Sequence, residues 1–366
     1  NNLDVQGVGT NRPGYEVSWN CYDRLISHET KTLPDGSAIY DRDKFKMELA
    51  EDMSVGDMSI TFKLKKNAKF HDGAPLTAKD VKWSFDRAVT VGGFPTVQMK
   101  AGSLTAKEQF VAVDDFTFRI DLAKKDRLTV PDIAVVVPGI FNSELLKKQA
   151  TEKDPWALDY TKSNTAGSGA YKVTSWKPGV ETIYERNDAW VAGKLPEIKR
   201  VIWRTIPSGG NRRALMERGD ADISFDLPAK DFSEMKKEGK LKMISNPITN
   251  GLYSVEMNVK TPPFDNPKVR KALNMAIDKK AIVDAVYQGS AVVAKNPIPP
   301  TMWSYNDAIQ DDPYDPEAAK AALLSFTCTA ANDLGQHGIT VNMVSGGLLR
   351  TTDASAATPD AVFDLI

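Results

Sequence analysis

The sequence predicts a mixed α/β protein with two lobes. Helix-type and strand-type apolar patterns alternate along the whole chain. The chain has 366 residues, which is more than one ordinary domain contains. Apolar residues make up 42% of it, enough to build more than one sizeable core. Two α/β lobes joined by extended segments fit these three observations.

The first half of the chain holds the clearest local patterns. Apolar residues at every second position predict strands over residues 58–64 and 116–122. A tight turn is predicted at residues 71–73, because glycine allows positive φ and aspartate bonds the backbone; a metal or catalytic pair at His71 and Asp72 is the less favoured alternative. Thr77 with Asp80 resembles a capping box. The helix it opens has a predicted buried face of Val81, Phe85, Ala88 and Val89.

The middle of the chain continues the alternation. Residues 162–171 are rich in Ser, Thr and Gly, which predicts a loop. Residues 201–206 are apolar on both sides, which predicts a strand covered on both faces. A helix over residues 212–218 is predicted to stop at Gly219, and a strand is predicted over residues 221–225.

Two helix starts are visible in the later part of the chain. Asn266 is a favourable N-cap, and Pro267 suits the first helical turn. Asp278 is predicted to cap a second helix that ends at Gly289. That helix carries the apolar residues Ile282, Val283 and Val286.

Composition excludes several classes of protein. The net charge of −1 argues against nucleic acid as a partner. No apolar run approaches the ~20 residues of a membrane-spanning helix. The chain opens on Asn1 and Asn2 without a signal-peptide pattern, which fits a processed secreted protein and equally a cytosolic one.

Metal ligands and cofactor motifs are not apparent in the sequence. His28, His71 and His337 form no metal-binding motif, and Cys21 and Cys328 lack metal-type spacing, so we expect no metal site and no cofactor. The two cysteines are predicted to be free and to act as small apolar residues.

A long run of consecutive residues resembles a known family. Residues 60–88 read ITFKLKKNAKFHDGAPLTAKDVKWSFDRA, which is similar to the signature of family-5 solute-binding proteins, the peptide- and nickel-binding components of ABC importers. Further landmarks of that family follow in order over residues 167–171, 185–190, 216–223, 257–258, 263–264, 269–273 and 315–320. The resemblance covers roughly residues 1–322.

The resemblance implies a periplasmic-binding-protein-like fold in which a solute is held in a cleft between two lobes. Lobe I is expected over residues 1–30 and 163–248, with an inserted subdomain over residues 31–162, and a truncated lobe II over residues 249–322. The implied function is binding of a peptide or similar small solute for an ABC importer, without catalysis. A nickel chelate, a sugar or an opine is the alternative solute.

Partners and location are implied in the same way. The partners are an ABC permease and its ATPase subunits, with no nucleic acid, and the protein is expected to be a monomer. The expected location is the periplasm, or the outer side of the membrane to which the protein is tethered.

Candidate solute-contacting residues combine aromatic walls with fixed polar groups. The segment after residue 10 supplies Asn11, Arg12, Trp19, Asn20 and Tyr22. Arg12 could hold a carboxylate through its two-pronged guanidinium or be a solvated surface arginine, and Trp19 and Tyr22 could equally be core residues. Ser168 and Gly169 lie in a loop whose backbone N–H groups could face a ligand, or which could be a plain turn. Asn250 falls where the chain is expected to cross between lobes.

The last residues look foreign to that family. Residues 323–366 resemble a fragment of a short-chain dehydrogenase/reductase, with GITVN at residues 338–342 as its strand. Lys320 then aligns with that family's catalytic lysine, but the tyrosine expected four residues earlier is Pro316. The glycine-rich cofactor loop is also missing upstream. An NAD(P)-dependent reductase is therefore kept only as the alternative function.

Overall fold

The computed structural model describes residues 2–7, 12–34, 36–245, 251–300, 302 and 304–324, and of residues 12 and 13 the backbone only. Contacts divide the chain into two compact units, Asn1–Leu215 and Met216–Ile366. Unit 1 combines strands with helices, and this confirms the predicted α/β class. The predicted lobe and subdomain boundaries stay predictions.

Helices and strands alternate through unit 1, and further helices follow in unit 2. The helices of the described residues are α1 Arg12–Cys21, α2 Ala78–Thr90, α3 Gly93–Ala101, α4 Thr129–Ile133, α5 Ser143–Gln149, α6 Leu158–Thr161, α7 Gly209–Arg218, α8 Ala229–Glu238, α9 Pro267–Ala276 and α10 Lys279–Ala285. The strands are β1 Ile26–Thr32, β2 Ala38–Met47, β3 Ala50–Val55, β4 Ser59–Leu64, β5 Phe110–Asp114, β6 Thr117–Asp121, β7 Tyr171–Lys177, β8 Glu181–Arg186 and β9 Arg200–Arg204. They form antiparallel sheets in the orders β1–β2, β3–β4–β6–β5 and β7–β8–β9.

The larger core cluster of unit 1 lies between the four-stranded sheet and α2. Phe62 of β4 pairs with Phe118 of β6, and both side chains are fully buried. The ring of Phe85 on α2 lies 5.3 Å from that of Phe118. The backbone N–H of Thr77 donates to Asp80 Oδ2 at 3.0 Å, which fixes the start of α2. The predicted strands, helix and capping interaction are confirmed.

The turn at residues 71–73 is also confirmed. Gly73 has a φ of +89°, and Asp72 Oδ1 accepts the N–H of Ala74 at 3.0 Å. The side chain of Asp72 therefore stabilises the backbone of the turn.

A buried ion pair fastens the N-terminal segment to α2. Arg87 is fully buried and forms an ion pair with the carboxylate of Asp4, which is also buried. The guanidinium also donates to Gln6 Oε1 and Thr161 Oγ1, each at 3.1 Å, and lies 4.8 Å from the ring centroid of Phe141. Burial alone would raise the pKa of Asp4, but Arg87 holds it below its ordinary value.

Two strand predictions are corrected by the structure. Strand β9 is not covered on both faces: it is the edge of its sheet, and Ile202 is 47% exposed. Residues 221–225 form no strand, and Ile223 is 69% exposed. Alternating or apolar residues fit a strand locally, but pairing and cover come from elsewhere in the chain.

Unit 2 shows helices but no strand among its described residues. The N-caps are as predicted: Asn266 Oδ1 accepts the N–H of Lys268 at 2.9 Å, and Asp278 Oδ1 accepts that of Ala281 at 2.8 Å. Helix α10 ends at Ala285, before Gly289. Gly219, with a φ of +75°, follows α7 directly, as predicted. In the described part of the chain, no helix is long and apolar enough to cross a membrane.

Candidate functional site

Helix α1 presents an aromatic ring to solvent. Trp19 is 44% exposed, and its ring centroid lies 6.2 Å from that of Tyr15, one turn earlier. The ring of Tyr15 in turn lies 6.4 Å from that of Phe94 at the start of α3, which is 48% exposed. Tyr15, Trp19 and Phe94 are called the aromatic row below. Phe94 was not predicted as a site residue, because nothing in the sequence links it to α1.

Of the other predicted site residues in and before α1, the structure describes some and not others. Asn20 is half-buried, and its side-chain amide donates to the carbonyl of Glu16 at 2.8 Å within the helix. Arg12 is the first residue of α1, and its side chain lies outside the described part of the structure. Asn11 and Asn250 lie outside the described residues altogether.

Tyr22 lies just beyond the end of α1 and is buried. Its hydroxyl oxygen accepts the N–H of Ala166 at 3.0 Å, and its ring lies 4.5 Å from that of Phe141. Of the two roles the sequence left open, the core role is the one that the structure shows for the ring. Tyr22 thereby ties the end of α1 to the loop over residues 166–170.

That loop lies directly against the end of α1. The N–H of Gly169 donates to the carbonyl of Cys21 at 3.0 Å, so it is already bonded within the protein. A Cβ atom on Gly169 would lie 2.6 Å from the carbonyl oxygen of Asn20, and one on Gly167 would lie 1.9 Å from that of Cys21. Only glycine permits this approach at either position. Cys21 itself is buried and free, and Cys328 lies outside the described residues.

A buried carboxylate joins the loop to a third segment. Asp23 Oδ2 accepts the hydroxyl of Ser168 at 2.8 Å, and Asp23 Oδ1 accepts the indole N–H of Trp190 at 2.9 Å. Ser168 is thus bonded inside the protein, and its predicted contact with solute stays a prediction. Neither Asp23 nor Trp190 was predicted as a site residue; the one signal available was that Asp23 follows Tyr22 directly.

Burial raises the pKa of Asp23 to about 6. The bond from Trp190 opposes this rise, and the nearby charge of Glu48 adds to it. Arg24, the next residue, directs its guanidinium to Glu48 Oε1 at 2.6 Å. Asp23 therefore titrates near pH 6, well above the pKa of an exposed aspartate.

His71 also forms a hydrogen bond to loop 166–170. Its Nε2 lies 3.0 Å from the carbonyl oxygen of Gly169, and because a carbonyl only accepts, Nε2 carries the hydrogen. Asn187 donates to the same oxygen at 3.2 Å. Burial lowers the pKa of His71 below its ordinary value. The arrangement holds a backbone loop in place; within the described residues, no group of three or more His, Cys, Asp or Glu could hold a metal ion.

Comparison with known proteins identifies the family. The model of the bacterial extracellular solute-binding proteins, family 5 (middle), matches residues 44–362. Heme-binding protein A of Haemophilus influenzae is 35% identical over 339 residues, covering 88% of this chain and 58% of that protein. The dipeptide-binding protein of Escherichia coli is 32% identical over 318 residues, covering 82% and 57%. The chain thus spans less than two thirds of the length of these curated relatives.

The fold agrees with this match. The ABC transporter-associated periplasmic binding protein DppA of Helicobacter pylori, solved in complex with the peptide STSA, is similar in fold with a TM-score of 0.71 and 21% identity. The similarity covers 89% of this chain and 64% of that one. The family match includes residues 323–362, where a dehydrogenase-like tail was predicted; residues from 325 on lie outside the described part, and the dehydrogenase resemblance stays a prediction. By its match over residues 44–362 and its 35% identity to a curated member, the chain belongs to the bacterial extracellular solute-binding proteins of family 5.

Proposed function

We propose that this chain is the extracytoplasmic solute-binding component of an ABC importer and that its solute is a peptide or a similar small molecule. The family match over residues 44–362 is the observation that carries the proposal. Relatives named for dipeptides and for glutathione support a peptide-like solute, and the relative named for heme is the reason to test a different one. The partners are a permease and its ATPase subunits, and the protein acts as a monomer without catalysis.

The site residues take two roles in this proposal. Trp19 and Asn20 on α1, with Asn11, Arg12 and Asn250, contact the solute. Arg12 pairs with a carboxylate of the solute, as a guanidinium does in two parallel hydrogen bonds. Tyr22, Ser168 and Gly169 hold α1 in place, because their polar groups are bonded within the protein. The proposed location is the periplasm, or the extracytoplasmic side of the membrane to which the protein is tethered.

A solute screen tests the function directly. Isothermal titration calorimetry of the purified chain with dipeptides, tripeptides, glutathione, hemin and nickel–histidine is expected to give saturable heat with at least one peptide. NADPH, tested by fluorescence, is expected not to bind. Tighter binding of hemin or of the nickel chelate than of every peptide would overturn the peptide proposal, and NADPH binding would favour the reductase.

Trp19→Ala is expected to weaken binding of the best peptide about tenfold, or about 1.4 kcal/mol. The exposed indole ring supplies apolar contact area on the solute side of α1, and aromatic contacts of this kind are worth about 0.5–1.5 kcal/mol beyond burial. Tyr40→Ala is the matched control, because Tyr40 is an exposed aromatic residue on β2, where its ring lies 5.9 Å from that of His28. Equal losses for the two variants would contradict a solute-contacting role for Trp19.

A further inference from the structure

The carboxylate of Asp23 is buried without a cation bonded to it. The residue is 5% exposed, and its two carboxylate oxygens accept one hydrogen bond each, from the neutral donors Ser168 and Trp190. A buried charge that is not paired with an opposite charge is unfavourable, since the protein replaces only part of its hydration. Ionisation of Asp23 in this buried environment is therefore unfavourable in free energy.

The charged groups around Asp23 do not remove this cost. The charge of Arg24, adjacent in the chain, favours ionisation of Asp23, but burial outweighs it and the guanidinium makes its two bonds to Glu48, at the junction of β2 and β3. Glu48 carries a like charge and acts against ionisation of Asp23. On the other side of the loop, His71 bonds to Gly169 and feels the positive charge of Lys172 on β7.

Asp23 also joins three segments that are distant in sequence. It follows α1, and through its two hydrogen bonds it holds loop 166–170 and the segment around Trp190. The loop cannot be pulled away from α1 without breaking the bond from Ser168 to Asp23 and the bond from Gly169 to Cys21. Separation of loop 166–170 from the end of α1 would expose Asp23 to water.

We propose that Asp23 is a proton-dependent positioning residue: loop 166–170 stays closed on the end of α1 while Asp23 holds its proton, and opens more readily once the proton is lost. The closed form binds the proton more tightly than the open form, in which Asp23 meets water. Linkage then requires that ionisation favour the open form. Because α1 carries Trp19 and Asn20, opening loosens the helix that we place beside the solute.

The size of the effect follows from the two states. The pKa of Asp23 is about 6 when it is buried, against its ordinary value of 3.8 in water. The equilibrium constant for opening therefore rises by about a hundredfold in total. Most of the rise falls between about pH 4 and pH 6, and the constant levels off above about pH 6. Between pH 5 and pH 7 the rise is about tenfold.

Hydrogen–deuterium exchange of the full chain tests this without any solute. The reporter is the amide of Gly169, which donates to Cys21 at 3.0 Å. After correction for the intrinsic exchange rate, its protection is expected to fall about tenfold from pH 5 to pH 7. The amides of β4 and β6 serve as internal controls and should show no such change. A pH-independent protection of Gly169 would overturn the proposal.

Two variants assign the effect to Asp23. Asp23→Asn has the same shape and cannot ionise, so its Gly169 protection is expected to be independent of pH; a tenfold fall in this variant would overturn the proposal. His71→Gln keeps Asp23 and is expected to keep the fall, whereas loss of the fall would assign the proton to His71 instead. If Asp23→Asn does not fold, Ser168→Ala replaces it: loss of one donor raises the pKa of Asp23 further, so the change must extend to higher pH.

The consequence for solute rests on the proposed function. Stopped-flow dissociation of the dipeptide Ala-Phe is expected to be about tenfold faster at pH 7 than at pH 5 for the wild-type chain, and equal at both for Asp23→Asn. Equal rates in the wild type would overturn the link from loop to solute. Failure of Ala-Phe to bind at either pH would count against the choice of peptide, and the exchange experiment would still decide the role of Asp23.

Discussion

Arg87→Met is expected to lower the free energy of unfolding of unit 1 by about 3–5 kcal/mol. Methionine keeps much of the volume of the side chain but leaves the carboxylate of Asp4 buried with no cation beside it. The acceptors Gln6 Oε1 and Thr161 Oγ1 lose a donor at the same time. Removing one partner of a buried ion pair destabilises the folded protein more than replacing both partners by apolar residues, because the remaining charge is uncompensated.

Urea denaturation followed by tryptophan fluorescence measures this loss. Six of the seven tryptophans lie in unit 1, so the signal reports mainly on that unit. Arg200→Met is the matched control: Arg200 is exposed on the edge strand β9, and the change should stay within about 0.5 kcal/mol. The double variant Asp4→Leu/Arg87→Met should recover much of the loss, since neither charge remains. Equal stability of the Arg87 and Arg200 variants would refute the role of the ion pair.

The same pair gives unit 1 an acid-sensitive contribution to its stability. Arg87 holds the pKa of Asp4 below its ordinary value of 3.8. The stabilisation is therefore fully present above that value and is lost as the pH falls through the lowered pKa. In Arg87→Met this loss on acidification should be absent, which the same denaturation curves recorded at several pH values would show.

Gly167→Ala is expected to cost about 3 kcal/mol, the upper part of the range for overpacking. The new Cβ atom would lie 1.9 Å from the carbonyl oxygen of Cys21 and 2.8 Å from Cδ1 of Tyr22. A backbone oxygen cannot rotate away as the end of a side chain does, so loop 166–170 has to move from α1. The bonds that Ser168 and Gly169 make to the end of α1 are then strained or lost.

Gly210→Ala is the matched control, because it makes the same chemical change in the first turn of α7 with only Ser208 Oγ nearby, at 4.0 Å. Alanine is favoured over glycine in a helix by about 0.8–1.0 kcal/mol, so this variant should be slightly more stable than the wild type. Thermal or urea denaturation measures both variants. Similar midpoints for the two would refute the close approach of the loop to α1.

Local structure in this protein was predictable where short-range physics decides it. Apolar alternation placed β4 and β6, and the spacing of Val81, Phe85 and Ala88 identified the buried face of α2. The caps at Thr77, Asn266 and Asp278 follow from side chains that bond backbone groups a few residues away. These interactions depend on neighbours in sequence, so the sequence shows them.

The two strand predictions were wrong because the residues that pair with or cover a strand are distant in sequence. Strand β9 has apolar residues on both faces, but its place at the edge of the β7–β8–β9 sheet leaves Ile202 exposed. Residues 221–225 have the composition of a strand, but they do not form one in the structure. A strand needs hydrogen-bonding neighbours, and their position is not contained in the segment itself.

By itself, the sequence determined the family, through some thirty consecutive residues from 60 to 88, and the start and face of the main helices. Only the tertiary structure decided which side chains meet. Asp23 and Trp190 are 167 positions apart, Ser168 lies 145 positions from Asp23, and Phe94 meets Tyr15 from another helix. Burial gives Asp23 its raised pKa, and burial is a property of the packed chain as a whole.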